Sequence, residues 1–579
     1  MNLEPPENDS IRGGRDWKAP KPRTTYNQAV VHTILSSRLR CSVQRSASLG
    51  LALALALFIP VCAPAQTAAE AGPAVGGRIL LVLPFDNRSG QPSLEWIREA
   101  APEILGTRLA SAGFAPMSRA DRMYALDHLG LPQTFHPSRA SSLKLAQTLD
   151  ADSIVVGSYL TDGTNIVAEA QLVDVPHLKM SQAVTARGEM RDLISVFDSL
   201  AWKLTRQLDP GFNVAEETFV AAGAGLRLDA FEQYIRGITE PDQQERLRHL
   251  NAAVQLSPQF SEAWMALGRE DYAGQQYEQA AEAFSKVGRN DADALEAGFY
   301  RGLSLLFSGD YPKAEDAFAG VSRILPLAAV LNNQGVALAR RGKDGVALFR
   351  QAEAADPNGA DYHFNLAVSL KRQGNAAEAL NELAQCLKLR PNDTEAQAVQ
   401  KAWKEPTTTP AAGPDGEAEA KADPLERIVR NFDAVAFRQA ALMLDQMDAS
   451  RLAALPPPAR AKVLSGQARG YLDRGLLLES ERLYLAAVAA DSRAAEAHAG
   501  LAEVRERTGD AEAARKEARA ALELEPTADA YLVLGRLDLA GGHLDEASKE
   551  AGEALKLAPQ SPAALALRRQ IDAGLGQKK

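Results

Sequence analysis

An α/β (or α+β) sheet domain followed by an all-α superhelix of helix pairs in two blocks is the fold class this chain predicts. Short β-branched runs alternate with amphipathic stretches between residues 78 and 208, as strands and helices of one compact domain do. From about Leu228 strand-type alternation disappears, and Gly, Ala and Leu recur with helical spacing. Within that half a Pro closes a unit about every 34 residues, most clearly at Pro258, Pro326, Pro357, Pro391, Pro526 and Pro559, which marks an array of stacked helix pairs.

The chain has 579 residues, enough for roughly three or four domains. Its 46% hydrophobic and 24% charged residues place it among folded chains. A net charge of −10 argues against a general nucleic-acid binder, because neutralising phosphates needs a Lys/Arg-rich surface. Of three cysteines, Cys41 and Cys62 precede residue 63. Cleavage of the amino terminus leaves Cys386 alone, which excludes an internal disulfide and a Cys-based zinc site in the mature chain.

Residues 1–65 read as an extension and an export signal. Arg38, Arg40 and Arg45 precede an apolar run from Leu49 to Val61, and Ala63-Pro64-Ala65 offers a cleavage site before Gln66. The run is roughly 13 residues, short of the about 20 that span a bilayer. An uncleaved anchor, a cytoplasmic core helix and a lipoprotein attached at Cys62 are the alternatives, although Pro60 and Val61 fit a lipobox poorly. Residues 66–77 are an Ala/Gly/Pro-rich linker.

In the sheet domain, 78–210, Arg78 to Phe85 is a buried strand ending in an Asn-Arg-Ser-Gly loop. Trp96, Ile97, Ala100, Ile104, Leu105 and Leu109 share a helix face that Gly113 stops. Phe114–Met117 is a second strand, and Ser118 caps a helix through Leu129. A further helix spans 138–149. Ser153–Leu160 and Ile166–Val173 form a hairpin about Asp162-Gly163, His177–Gly188 is a last strand, and Asp192–Leu208 a closing helix. Leu83-Pro84-Phe85-Asp86-Asn87-Arg88-Ser89-Gly90, Ala151 to Tyr159 and Ala170-Gln171-Leu172-Val173-Asp174 resemble the TolB amino-terminal-domain-like family over 78–208. That resemblance implies a non-catalytic module of envelope or signalling proteins. Pro176-His177 stands where relatives often carry a Thr-Gly turn, so the connection after the Leu-x-Asp strand is expected to differ.

The first block, 228–403, starts with a degenerate unit carrying Tyr234, Gly237, Ala253 and Pro258. Trp264, Leu267, Gly268, Ala280 and Phe284 mark the next copy, followed by Gly302, Ala314, Phe318 and Pro326. A shortened copy keeps Gly335, Phe349, Ala352 and Pro357, and a last one Leu366, Ala367, Ala379, Leu383 and Pro391. Small residues let the helices approach, a large one fills the gap, and Pro stops the second helix. These copies resemble the tetratricopeptide repeat (TPR) family. Residues 404–424, rich in Thr, Pro, Ala, Gly and Glu, read as a disordered linker. Helical pattern resumes at Leu425, breaks at Pro456-Pro457-Pro458 and gives the second block within 425–579, with Gly535, Ala547, Ala554 and Pro559 clearest and 561–575 as a capping helix.

No phosphate-cradling loop, nucleophile elbow or His-Glu-x-x-His pair occurs, so no catalytic, cofactor or metal residues are expected. Ser141-Ser142-Leu143-Lys144 reads as a capped helix start. His363 and His498 fall at a large core position of the repeat, and Cys386 at a small position between helices. The candidate site is the inner face of the first block, where the first helices project Met265, Arg269 and Tyr272, then Phe299, Leu303 and Leu306. Asn332, Val336 and Arg340 follow, then Phe364, Val368, Lys371 and Arg372. Apolar anchors with a basic rim suit an extended or helical peptide bearing acidic groups; ordinary solvated helix-end charges are the alternative.

The expected function is an exported, periplasmic scaffold without catalysis, binding protein or peptide partners through these grooves in the cell envelope, with outer-membrane association as one form. The alternatives are a sensor or signalling subunit related to cyclase-associated proteins, or an oligomeric envelope assembly subunit.

Overall fold

The computed structural model describes residues 79–132, 138–223, 225–289, 291, 293–404, 424–432, 447–473 and 475–577. The export signal, the 66–77 linker and most of the 404–424 linker lie outside these residues. The chain forms two compact units: 298–437, and 62–297 together with 438–579.

The second of these units begins with the sheet. Its strands are β1 (Ile79–Val82), β2 (Asp86–Asn87), β3 (Ala115–Pro116), β4 (Ser153–Thr161), β5 (Asn165–Asp174), β6 (Lys179–Met180) and β7 (Val184–Glu189). β1 lies parallel between β3 and β4, and β5 pairs antiparallel with β4, β6 and β7. The helices are α1 (Ile97–Ser111), α2 (Arg119–His128), α3 (Arg139–Thr148) and α4 (Leu193–Leu208). Alternate residues of β1 enter different cores: Leu80 and Val82 pack with α1 and α4, Leu81 with α2 and α3. A continuous apolar run is what a strand covered on both faces requires.

Gly157 in β4 is a packing necessity, since a Cβ there would stand 2.2 Å from the Phe85 ring. That same ring meets Phe197 of α4 edge-on at 5.6 Å. Ser118 caps α2 reciprocally with Asp121. The single strand expected over His177–Gly188 is instead two short ones. The Asp174 carboxylate accepts the His177 amide at 3.0 Å, and Leu178 takes φ 54°, so 175–178 is a turn.

Helices α5 (Glu216–Ala221), α6 (Leu228–Thr239), α7 (Gln243–Leu256), α8 (Ser261–Ala273) and α9 (Tyr277–Ser285) continue this unit. So do α17 (Pro457–Leu472), α18 (Leu477–Ala490), α19 (Ala495–Arg507), α20 (Ala511–Leu524), α21 (Ala528–Ala540), α22 (Leu544–Leu557) and α23 (Pro562–Gln577). The second block docks beside the sheet. Leu478 joins the sheet core, the buried Glu481 carboxylate accepts the Ala215 amide at 3.2 Å, and Arg482 donates to the Ser111 carbonyl at 3.0 Å.

Among the described residues, six helices and most of a seventh form the other unit: α10 (Ala294–Phe307, from Gly298 on), α11 (Tyr311–Ser322), α12 (Ala328–Arg340), α13 (Val346–Ala355), α14 (Ala360–Arg372), α15 (Ala376–Leu389) and α16 (Thr394–Lys404). A Cβ on Gly302 would come within 2.6 Å of the Phe318 ring. Gly302→Ala is therefore expected to cost about 1–3 kcal/mol by overpacking, against about 1 kcal/mol gained in helix propensity. Urea unfolding of the variant checks the sign.

One capping device recurs at a single repeat position. Trp264, His363, Gln397 and His498 each donate a side-chain N–H to the carbonyl six residues earlier, at 2.9, 3.1, 2.7 and 3.2 Å. The accepting carbonyl lies two residues past the end of the preceding helix, so each bond ties the turn between two helices to the first turn of the second. His363 is thus a buried residue with a polar task, while His498 does the same from a half-buried position.

Candidate functional site

The inner face of α12 and α14 is where the structure gathers polar chemistry. Asn332, Asn333 and Asn365 are all fully buried there, above Val336 and Val368. Buried amides require partners, and here the partner is the chain's own segment 424–432. This segment is extended; the helical pattern expected from Leu425 is overridden by pairing with distant residues.

Asn365 accepts the Arg427 amide at 2.6 Å and donates to the Arg427 carbonyl at 2.8 Å. Asn333 does the same for Val429, at 2.9 and 2.8 Å. Two side-chain amides on neighbouring repeats thus act as an edge strand would, gripping every second residue of the segment. Asn332 ties the pair together, accepting from Asn365 at 2.8 Å and donating to the Arg427 carbonyl at 3.1 Å.

The side chains meet pockets of opposite sign. Glu426 is buried between Arg340, whose Nε lies 3.3 Å from its carboxylate, and Arg372, which binds the other carboxylate oxygen. Arg340 also donates to the Glu426 carbonyl and Arg372 to that of Pro424, both at 3.0 Å. Arg427 lies 3.7 Å over the Phe364 ring and binds Asp393 through both terminal nitrogens, at 2.6 and 2.8 Å. Asp361 at 3.1 Å and Glu395 at 2.8 Å complete its cage. Burial alone would lower the Arg427 pKa, but bonds to Asp393, Glu395 and Asp361 outweigh it and hold the pKa raised. Arg430 stands 4.9 Å over Phe307, and Phe432 is 5.7 Å from Phe299. The segment therefore runs opposite to the order of the repeats.

The residues expected to line one face are thus distributed. Asn332, Arg340, Phe364 and Arg372 touch the segment, as Phe299 does through Phe432. Val336, Val368, Leu303 and Leu306 are buried in the helix packing. Lys371 instead faces the Trp403 ring at 5.7 Å. Met265, Arg269 and Tyr272 belong to the other unit, where Met265 is buried, Arg269 pairs with Glu296 at 2.6 Å and Tyr272 meets Tyr277. Asn333, Asn365, Asp361, Asp393 and Glu395 were missed by sequence reasoning. An Asn at the same position of consecutive first helices, amid apolar neighbours, was the available signal.

Cys386 is fully buried and its thiol is pushed up to about 11 by burial, which keeps it protonated. His363 has acceptors at both ring nitrogens, the Glu382 carboxylate at 2.7 Å and the Pro357 carbonyl at 3.1 Å. This favours the imidazolium, and the Glu382 bond raises its pKa. A raised histidine stabilises fully below its unfolded pKa of about 6.5, and that contribution is lost as pH rises through the folded value. His363→Gln is expected to flatten the pH dependence of unfolding of this unit above about pH 6.5, read as melting temperatures on either side.

The second block has its own inner cavity of about 340 Å³, lined by Arg469, Glu503, Asp529, Leu532, Arg536 and Ser561. Its charges are paired internally: Arg469 binds Glu503 at 2.8 Å and Arg536 binds Glu506 at 2.5 Å.

Comparison with known proteins bears on the helical half. Models of the tetratricopeptide repeat match residues 360–393, 265–329 and 466–530. No curated protein matches. Among solved structures, YrrB, described as a TPR protein with an unusual peptide-binding site, is 18% identical, covering 30% of this chain and 92% of its own at TM-score 0.28. A tetratricopeptide repeat protein from Parabacteroides merdae is 12% identical over 54% of this chain and 98% of its own, at TM-score 0.23. MamA from Desulfovibrio magneticus is 20% identical over 29% and 100%, at TM-score 0.27.

Proposed function

Because the chain carries tetratricopeptide repeats, we propose that it is an exported, non-catalytic scaffold holding partner proteins or peptides through the inner face of α12 and α14 in the cell envelope. The observation that carries this reading is the grip of Asn333 and Asn365 on the main chain of an extended segment. Such a grip recognises strand geometry and leaves side-chain pockets to choose the sequence. The sheet domain docks to another envelope component, as its resemblance to the TolB amino-terminal-domain-like family implies. Export rests on the basic, apolar and small-residue order of 38–65.

Capture from an envelope fraction by the intact chain and by a chain ending at Gln207 tests the scaffold. Partners are expected to be lost from the shortened chain; full recovery by it sinks the reading. A mature terminus at Gln66 in a periplasmic fraction is expected, and an intact Met1 in the cytoplasm overturns export.

A further inference from the structure

Segment 424–432 is held by contacts that read its sequence, and we infer that it stands in for an external ligand. The groove on α12 and α14 takes an extended segment of a partner protein carrying Glu-Arg-x-Val, as Glu426-Arg427-Ile428-Val429 does here. This rests on the groove reading above and adds the chemistry of the partner.

Adjacent pockets of opposite sign impose an order. Arg340 and Arg372 take the Glu, while Asp361, Asp393, Glu395 and the Phe364 face take the Arg directly after it. Exchanging the two residues would put like charges together in both pockets. Val429 packs beside Leu331 and Tyr362, which sets an apolar residue two positions on. The main-chain bonds to Asn333 and Asn365 require the extended conformation between them.

The segment is also built to leave. Within 424–432 only Glu426 is buried, and Leu425 is 56% exposed. Its apolar side chains are only partly covered, Val429 and Phe432 being half-buried against Leu331, Tyr362 and Phe299, so apolar burial supplies only part of its hold. A partner with the same code makes the same contacts with Arg340, Arg372, Asp361, Asp393 and Glu395, so it displaces the segment by mass action without leaving those charges unpaired.

Fluorescence anisotropy with labelled Pro-Leu-Glu-Arg-Ile-Val-Arg-Asn-Phe tests this on the full chain. A chain carrying Glu426→Ala and Arg427→Ala, checked by circular dichroism, is expected to bind the peptide at least about tenfold more tightly than the unaltered chain. A peptide with Glu and Arg exchanged is expected to bind at least about tenfold more weakly. Adding Asn365→Ala should abolish binding. If that variant unfolds, Arg372→Gln tests the same grip: it weakens the native peptide but not one with Gln in place of Glu.

Equal affinity for both peptide orders, or no binding to the vacated groove, overturns the inference. Random peptides of the same length separate it from the groove reading. If they are retained in an Asn365-dependent way, the groove stands and the Glu-Arg code falls; if no peptide of any sequence is retained, both fall. A concentration-dependent dimer that Arg427→Ala abolishes would make the occupant a second copy and overturn the external partner.

Discussion

Replacing Arg108 with Met is expected to destabilise the sheet-bearing unit by about 3–5 kcal/mol at neutral pH. Arg108 of α1 and Asp198 of α4 form an ion pair at 3.4 Å, with side chains only 8% and 1% exposed. Arg108 also donates to the Phe219 carbonyl and lies 4.5 Å over the Phe219 ring, so one side chain joins α1, α4 and α5. Burial raises the Asp198 carboxyl to about 7, and the guanidinium opposes that rise. A raised carboxyl contributes stability fully below its unfolded pKa of about 3.9, and this is lost as pH climbs through the folded value. Without Arg108 the carboxyl rises further, so the loss continues to higher pH and the variant's deficit grows above about pH 7. Urea unfolding on both sides of that pH measures it; a deficit below about 1 kcal/mol, or one independent of pH, contradicts the assignment.

Arg427→Ala is expected to undock segment 424–432 at a cost of about 2–4 kcal/mol in local stability. The substitution removes the cation shared by Asp361, Asp393 and Glu395 and leaves Arg390, 2.8 Å from Asp361 and 3.6 Å from Asp393, as the cation beside them. The amides of Arg427 and Val429, which donate to Asn365 and Asn333, should then exchange hydrogen at least about tenfold faster, while the helices of 298–404 keep their protection. Unchanged protection would mean that the Asn grip alone holds the segment. Asp393→Ala combined with Arg427→Ala should cost less than the two changes added, since both break the same two-bond ion pair.

The elements of the sheet domain were legible where the signal is local. β4 and β5 follow from alternation about Asp162-Gly163, whose carboxylate accepts the amides of Thr164 and Asn165 at 2.8 and 2.7 Å. The break in the last strand was not, because it depends on how Asp174 folds onto His177. In the repeats, Gly302 facing Phe318 and Gly335 facing Phe349 are one local rule written twice. Of the residues expected on the inner face, Phe299, Asn332, Arg340, Phe364 and Arg372 touch segment 424–432, whereas Leu303, Leu306, Val336 and Val368 are buried in the helix packing. The groove's central Asn333 and Asn365 were not legible, since a polar residue on an inward face looks like an error until its partner is known.

By itself the sequence determined a sheet domain, helix pairs of fixed period and a candidate inner face, because periodicity and close packing act between neighbours in the chain. Tertiary structure alone decided that the second block packs beside the sheet through Glu481 and Ala215, 266 residues apart. It also decided that 425–432 is extended, although its residues are compatible with a helix. Hydrogen bonds between Val429 and Asn333 span 96 residues, and a contact at that separation leaves no period in the sequence from which to read it.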